Sequence, residues 1–235
     1  DHRYLHSFPP RRSSDLEAGF LRFSGQLAGW QGVQLSDPLF WNSGGRFVPE
    51  LKGQFQFTNG ALIDMEASLN INGSVSWDKN TDPDYSGQLK PYRVWLRYST
   101  KQWELRAGLQ KMNFGAAKML RPLMWFDAMD VRDPLQLTDG VYGLLGRYYF
   151  DNNATIWAWG LTGNNRPKGY ELAGSSPGKP EVGGRLQLPF GPGEVALSYH
   201  HRKVNPASTN LNFAFAADKL PENRIGFDGK WDLGV

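Results

Sequence analysis

The sequence predicts an all-β fold, an antiparallel up-and-down transmembrane β-barrel or a partial barrel. Three observations lead to this prediction. Apolar and polar residues alternate along about ten segments, which is typical of strands with one apolar face. The clearest segment is longer than the strands of soluble domains, and the connections between segments alternate in length.

The clearest strand lies within residues 61–77. Its apolar positions are Ile63, Met65, Ala67, Leu69, Ile71, Val75 and Trp77, and the polar positions between them are Asp64, Glu66, Ser68, Asn70, Asn72, Ser74 and Ser76. A tilted membrane strand needs about 9–11 residues, whereas strands of soluble domains usually have about 5 or 6. We therefore expect this strand to cross a bilayer with its apolar positions on the outer face.

The same alternation predicts the other strands. They lie near residues 21–27, 50–57, 92–99, 103–110, 141–150, 154–162, 182–190, 194–204 and 223–233. Short turns fall at 58–60, 100–102, 151–153 and 191–193, and long connections at 31–45, 78–90, 113–140, 163–180 and 205–222. Outer-membrane barrels have short periplasmic turns and long extracellular loops, and we expect the same arrangement here.

Composition excludes several classes of protein. No run of 18 apolar residues is present, so a transmembrane helix is not expected. The chain has no cysteine, which excludes disulfides and thiolate metal sites. The net charge of +3 comes without a local cluster of Lys and Arg, so nucleic acid is not an expected partner. We also expect no cofactor and no metal.

Residues 1–16 are predicted to be a non-native tail. Residues 6–16, HSFPPRRSSDL, resemble the conceptual translation of a sequencing-library adaptor, from which only Pro10 departs. The tail contains no apolar segment or small-residue cleavage site of a secretory signal. The chain also ends in mid-pattern at Val235, without a terminal aromatic residue. We therefore expect residues 17–235 to be a barrel fragment truncated at both ends, and ten strands to be a lower bound.

Residues 106–153 carry a family resemblance. They contain a G-x-Q strand at 108–110, an N-F-G turn at 113–115, and a loop with Arg121-Pro122 and Asp133-Pro134. This stretch resembles porin-like outer-membrane barrel proteins of Bacteroidota-type bacteria, and the resemblance extends weakly over 17–235. It implies a barrel in the outer membrane of a Gram-negative bacterium, in contact with lipid. It implies no particular solute, because one architecture serves several functions.

Arginines recur on the polar side of the predicted strands. If the apolar side faces lipid, the lumen side carries Arg22, Arg93, Arg97, Arg106, Arg185, Arg202 and Arg224, with Arg147 added if its strand keeps register. An arginine facing lipid at mid-depth costs about 2–4 kcal/mol, which places these side chains in the lumen. They form either a positive wall that guides anionic or zwitterionic solutes, or a structural network of ion pairs with Glu50, Asp64, Glu66 and Glu104.

The 113–140 connection is a candidate constriction loop. It carries Asp127, Asp130, Asp133 and Asp139 among Met119, Leu120, Leu123, Met124, Trp125 and Phe126. It is too apolar for a solvated loop of its length, so we expect it to pack against the rest of the protein. It either folds into the lumen as a constriction or forms a rim loop packed on its neighbours.

Two further motifs have simpler explanations than the sites they suggest. Asp78, Asn80, Asp82 and Asp84 alternate as in a calcium loop, but Pro83 and Leu89 occupy the positions of its Gly and Glu, and a solvated acidic turn is the better interpretation. Ser198, His200 and His201 could serve a barrel hydrolase, but no orienting acid or oxyanion donor can be named. Polar lumen residues explain them better.

These observations predict a porin-like channel for small hydrophilic solutes with an Arg-lined lumen. The expected pore-lining residues are Arg93, Arg97, Arg106, Arg147, Arg185, Arg202, Asp64, Glu66 and Glu104. The alternative is a non-conducting structural or binding barrel, such as an adhesin or an assembly component, and a hydrolase ranks third. We expect no enzymatic activity, and the oligomeric state stays open, a homo-oligomer included.

Overall fold

A computed structural model of the chain describes residues 19–35, 37–115, 122–129, 137–208 and 220–231. The strands within these ranges are β1 (Phe20–Gln34), β2 (Phe40–Gln56), β3 (Leu62–Trp77), β4 (Asp84–Ser99), β5 (Trp103–Gln110), β6 (Ala128–Met129), β7 (Thr138–Asp139), β8 (Val141–Tyr149), β9 (Thr155–Leu161), β10 (Glu181–Phe190), β11 (Gly193–Val204) and β12 (Leu220–Trp231). A short 3-10 turn spans Pro206–Ser208. The predicted tail, 1–16, lies outside the described residues.

Ten of these strands form one antiparallel sheet in chain order, β1-β2-β3-β4-β5-β8-β9-β10-β11-β12, while β6 and β7 pair separately. The predicted all-β, up-and-down arrangement of ten strands is confirmed. The sheet is open, because in the described part of the chain β1 pairs only with β2 and β12 only with β11. The predicted closure into a barrel is therefore not shown. No helix in the described ranges is long and apolar enough to span a membrane.

Two predicted long connections are wrong. The 31–45 connection shrinks to 35–39, because β1 and β2 continue as a hairpin in which Gln34 lies opposite Phe40. The 78–90 connection shrinks to 78–83, because β4 begins at Asp84, opposite Ser76. The first stretch is rich in Gly and Ser and the second in Asp, which weakens the alternation, but ladder hydrogen bonds join backbones and need no apolar side chains.

The other connections lie close to their predicted bounds. The stretches between β5 and β8 and between β9 and β10 are long, as expected, and the one after β11 ends earlier because β12 begins at Leu220. The turns near 58–60, 100–102, 151–153 and 191–193 are short. The strict alternation of short turns and long loops therefore holds only from β4 onward.

The two faces of the sheet have opposite polarity, and the apolar face is the exposed one. In β11, Leu197 is 53% and Tyr199 is 45% exposed, whereas Ser198 and His200, which alternate with them, are fully buried. Met65, Leu69 and Ile71 of β3 are exposed as well, as expected for the outer positions of that strand. We call the side of Leu197 the apolar face and the side of Ser198 the polar face.

An aromatic cluster covers part of the polar face. Its buried members are Met112, Trp125, Phe126, Val141, Leu145, Trp159 and Leu161, with Phe114, Leu123 and Trp157 packed against them. Leu145 lies opposite Trp159 in the β8–β9 ladder, on the same side as Arg147. Phe114 stacks on Trp159, with ring centroids 5.6 Å apart. The described parts of the connection between β5 and β8 therefore pack on the polar face, as the apolar composition predicted.

Gly108 lies where β5 approaches β4 too closely for a side chain. Its φ is +119°, and an added Cβ would lie 2.2 Å from the carbonyl oxygen of Val94 and 2.9 Å from Cα of Trp95. We expect Gly108→Ala to destabilise the protein by about 1–3 kcal/mol, because strain of this kind cannot be relieved by a side-chain rotation.

Gly160 in β9 is the matched control for this substitution. An added Cβ there meets nothing within 4 Å, so Gly160→Ala should change stability by less than about 0.5 kcal/mol. Urea denaturation followed by tryptophan fluorescence measures both variants. Equal midpoints for the two would contradict the strained approach at Gly108.

Candidate functional site

The first group of charges on the polar face surrounds Glu104, and we call it the Glu104 cluster. Its members are Asp64 of β3, Arg97 of β4, Glu104 and Arg106 of β5, and Arg147 of β8. Arg97 Nη2 lies 2.7 Å from Asp64 Oδ2, and one guanidinium nitrogen of each arginine lies 3.3 Å from a Glu104 oxygen. Strand register brings them together, since Asp64 lies opposite Arg97 and Glu104 opposite Arg147.

The Glu104 cluster keeps a net positive charge. Three guanidinium groups face two carboxylates, which leaves one positive charge. The side chain of Glu104 is buried, while those of Asp64, Arg97, Arg106 and Arg147 are 15–25% exposed. Arg106 and Arg147 also lie over the rings of Trp95 and Trp157, at 4.8 and 3.9 Å from the centroids. The cluster is thus held firmly but still reaches solvent.

Arg93 binds backbone groups rather than a carboxylate. Its Nη2 donates to the carbonyl oxygen of Thr138 at 2.8 Å, and its guanidinium lies 4.1 Å from the ring centroid of Tyr92. Nearby, Lys90 Nζ lies 2.8 Å from Asp139 Oδ1. A bulge after Ser68 puts Lys90 and Arg93 on the same face of β4. Both side chains therefore fasten the 137–140 segment to the sheet.

The second charged group on the polar face is the ion pair between Arg185 and Asp228. Arg185 Nη1 lies 2.5 Å from Asp228 Oδ2 and also donates to Ser198 Oγ at 3.0 Å. This pair joins β10 to β12 across β11 and lies next to Phe114, whose ring centroid is 5.4 Å from the guanidinium carbon. Arg185 is buried, so it lines no open space among the described residues.

A third group, which we call the Glu181 network, links the β9–β10 connection to the sheet. Glu181 Oε1 accepts hydrogen bonds from Lys168 Nζ at 3.0 Å and Ser175 Oγ at 2.9 Å, and Glu181 Oε2 lies 3.1 Å from His200 Nε2. Trp159 Nε1 donates to His200 Nδ1 at 3.2 Å, which places the imidazole proton on Nε2, facing Glu181. Every member is buried.

Next to this network, two arginines and two glutamates form a charge quartet. Arg202 Nη1 lies 2.9 Å from Glu171 Oε2, and its Nη2 lies 2.7 Å from Glu222 Oε2. Arg224 Nη2 lies 3.0 Å from Glu171 Oε1, and its Nε donates to Glu222 Oε1. Two positive and two negative groups make the quartet neutral. Arg202 and Glu171 are buried, while Glu222 and Arg224 are partly exposed.

The structure thus splits the predicted pore-lining residues into two sets. Arg97, Arg106, Arg147, Asp64 and Glu104 meet in one cluster that reaches solvent. Arg93, Arg185 and Arg202 are buried anchors for connections or neighbouring strands, and Glu66 lies half-buried opposite Trp95. That any of these residues lines a pore stays a prediction.

Of the candidate constriction residues, Asp127 is described and is buried; its carbonyl oxygen accepts the N–H of Gly169 at 2.8 Å. Asp130 and Asp133 lie outside the described residues. The described parts of this connection, 111–115, 122–129 and 137–140, lie against the polar face. That the connection narrows a passage stays a prediction.

The hydrolase motif does not form a nucleophile–base pair in this geometry. Both ring nitrogens of His200 are bonded, to Glu181 and Trp159, and Ser198 Oγ accepts from Arg185. His201 is turned to the other face, where it contacts Asn223. Among the described residues, Ser198 therefore has no imidazole nitrogen within reach to accept its proton.

Asp78 is a turn residue. The N–H groups of Asn80 and Thr81 donate to Asp78 Oδ1 at 2.6 and 2.8 Å, and these bonds hold the pKa of this carboxyl below its ordinary value. The carboxylate thus closes the short β3–β4 turn, which agrees with the acidic-turn interpretation.

Sequence reasoning missed five charged partners. Three of them, Glu171, Glu222 and Asp228, bind the predicted arginines. The other two are Glu181, which binds His200, and Lys168, which binds Glu181. Counting back in steps of two from Arg185 places Glu181 on the polar face, so that residue could have been found. No local pattern marks Lys168 or Glu171, which lie in a connection without strand periodicity.

Comparisons with protein-family models, with curated proteins and with solved structures found no match for this chain. Its function must therefore be argued from the chemistry of the two faces. That chemistry combines an exposed apolar surface with a charged, partly covered opposite side.

Proposed function

We propose that the sheet is the wall of a porin-like β-barrel in a bacterial outer membrane, and that its polar face lines a passage for small hydrophilic solutes. The inverted polarity of the sheet carries this proposal. Exposed apolar side chains alternate with buried polar ones, as with Leu197 and Ser198. Lipid on the apolar side and water on the polar side would satisfy both faces.

Water is an unsuitable environment for the apolar face. Phe23, Leu27, Leu96, Ile225 and Phe227 are all more than half exposed there. Soluble monomers rarely expose contiguous apolar patches larger than about 300–600 Å². Burial of this face in hydrocarbon would stabilise it by about 25 cal/mol for each Å² removed from water.

The proposal requires the sheet edges to be paired. Open edges of β1 and β12 would leave backbone N–H and C=O groups unbonded in hydrocarbon, at a cost of several kcal/mol per group. Pairing of these edges with each other or with further strands would remove that cost. Barrel closure is thus part of the proposal.

The Glu104 cluster is the best candidate for the wall of the passage. Its arginines and Asp64 are partly exposed, and the cluster carries one net positive charge. Fixed charge in a confined channel raises the concentration of counter-ions near it. We therefore propose a weak preference for anions along this part of the polar face.

Conductance of the intact protein tests the proposal. Purified protein added to a planar lipid bilayer should produce discrete, reproducible conductance steps. The second candidate, a non-conducting structural or binding barrel, is favoured by the aromatic cluster that fills part of the polar face. Stable insertion without conductance steps would support this second candidate and contradict the channel.

Replacing Arg93, Arg97 and Arg106 together by Gln should shift ion selectivity toward cations. The loss of Arg97 and Arg106 leaves Arg147 against Asp64 and Glu104, which changes the cluster from one net positive to one net negative charge. Reversal potentials across a salt gradient measure the shift. It should be large at 0.1 M salt, where the Debye length is about 10 Å, and small at 1 M, where it is about 3 Å.

Lys52→Gln is a control for the loss of one positive charge on the polar face outside the cluster, because Lys52 pairs with Glu50 and is half exposed. It should change selectivity much less than the triple variant. Unchanged selectivity of the triple variant at low salt would make these arginines structural partners only.

A further inference from the structure

A pocket of about 580 Å³ opens beside the charge quartet, between the β9–β10 connection and the ends of β11 and β12. Nine of its lining residues are apolar or aromatic, among them Trp125, Leu172 and Val204. The other four are the members of the quartet. Its size lies within the usual range of about 300–1,000 Å³ for small-molecule sites.

The polar end of the pocket offers one donor group and one acceptor group. Arg224 uses Nε and Nη2 for Glu222 and Glu171, which leaves Nη1 without a partner in the described part of the chain. Glu222 accepts three hydrogen bonds from Arg202 and Arg224, and a carboxylate can accept about four. Its side chain is 33% exposed, so the remaining lone pair can be reached from the pocket.

We propose that this pocket binds a small zwitterion with an apolar body, such as an amino acid or dipeptide with apolar side chains. The ligand carboxylate would accept from Arg224 Nη1, and the ligand ammonium would donate to Glu222. The apolar body would pack against Trp125, Leu172 and Val204.

The balance of charge and lining favours this ligand class over others. The quartet is neutral, so it attracts neither a net anion nor a net cation strongly. A purely apolar ligand would cover the Arg224 donor and the Glu222 acceptor without bonding them, which disfavours binding. A sugar carries hydroxyl groups around its whole ring, whereas the polar groups of this pocket lie at one end.

The inference is independent of conduction, because binding can be measured on the whole protein in detergent micelles. Isothermal titration calorimetry with the dipeptide leucyl-leucine should give saturable binding to one site. The N-acetylated and the C-amidated dipeptides should each bind at least tenfold more weakly, since each loses one charged end. Glycyl-glycine, which keeps both charges without an apolar body, should also bind at least tenfold more weakly.

Leu172→Ser tests the location of the site. Leu172 is 67% exposed, so its replacement should leave folding intact while it removes apolar lining, and leucyl-leucine should bind about tenfold more weakly. Leu35→Ser is the matched control, because Leu35 is 88% exposed and does not line the pocket. It should leave binding unchanged.

Three outcomes would overturn the inference. Absence of saturable leucyl-leucine binding would exclude the ligand class. Equal binding of the free and capped dipeptides would show an apolar site without recognition of the zwitterion. Equal weakening by Leu172→Ser and Leu35→Ser would place the binding elsewhere. None of these outcomes decides whether the barrel conducts.

Discussion

Glu181→Ala should lower the free energy of unfolding by about 3–5 kcal/mol, the usual effect of removing one partner from a buried ion pair. Glu181 is 1% exposed and bonds Lys168, Ser175 and His200. Without it, the ammonium group of Lys168 stays buried and keeps, among the described residues, the longer 3.4 Å contacts to Glu171 and Ser175. His200 Nε2 also loses its acceptor.

Glu194→Ala is the matched control, because Glu194 accepts a single hydrogen bond from Gln187 on an exposed part of the same hairpin. An exposed contact of this kind contributes about 0–1 kcal/mol. Urea denaturation in micelles or lipid vesicles, followed by tryptophan fluorescence, compares the two variants. Similar losses of stability for both would mean that the Glu181 network does not fasten the β9–β10 connection to the sheet.

A double-mutant cycle separates the pair from its surroundings. If Lys168 and Glu181 stabilise each other, the double variant Lys168→Met/Glu181→Ala should be more stable than the sum of the single effects predicts. The buried charge that Glu181→Ala leaves uncompensated is absent from the double variant. Additive effects would show that Glu181 acts mainly through Ser175 and His200.

The alternation of apolar and polar residues predicted strands best in segments whose two faces differ clearly in polarity. The pattern within residues 61–77 corresponds closely to β3, and its two faces differ in exposure as expected. The hairpin between β1 and β2 was missed because the stretch around Gly44 and Gly45 carries little side-chain contrast. Its backbone hydrogen bonds are nevertheless as regular as those of β3.

The charged groups were predictable only in part. Placement of the arginines on the polar face follows from a period of two, but the choice of partner follows from register. Arg97 meets Asp64 and Glu104 because the turns on both sides of β4 set its position opposite β3 and β5. Lys168 and Glu171 reach the sheet through a connection whose path depends on long-range packing, and such a path leaves no local signature.

The position of the aromatic cluster was also predictable from the sequence only in part. The composition of residues 113–140 predicted that this connection packs against the rest of the protein. Its described residues Phe114 and Phe126 pack on the aromatic side chains of β9, in one cluster with Trp157, Trp159 and Leu161. Those three side chains lie on the same side of the sheet as the charged clusters, but in β9 this side carries apolar residues. The sequence pattern of β9 alone does not reveal which of its two apolar faces is covered.

If the sheet spans a membrane as proposed, Leu186→Arg should destabilise the folded protein in lipid by about 2–4 kcal/mol, because it places a charge on the apolar face near the middle of β10. Leu186 lies between Ile156 and Leu197, which share that face. In hydrocarbon the guanidinium would find no water and no partner on these neighbours. Reversible urea unfolding in lipid vesicles measures the free energy.

Phe190→Arg separates the effect of depth from the effect of charge. Phe190 shares the face and the strand of Leu186 but lies next to the Gly191 turn, where an interfacial arginine should cost only about 0–1 kcal/mol. In a soluble sheet both positions would be exposed, and both substitutions should stay within about 0.5 kcal/mol of the parent. A large difference between the two variants therefore supports lipid on the apolar face, and equal small effects in vesicles contradict it.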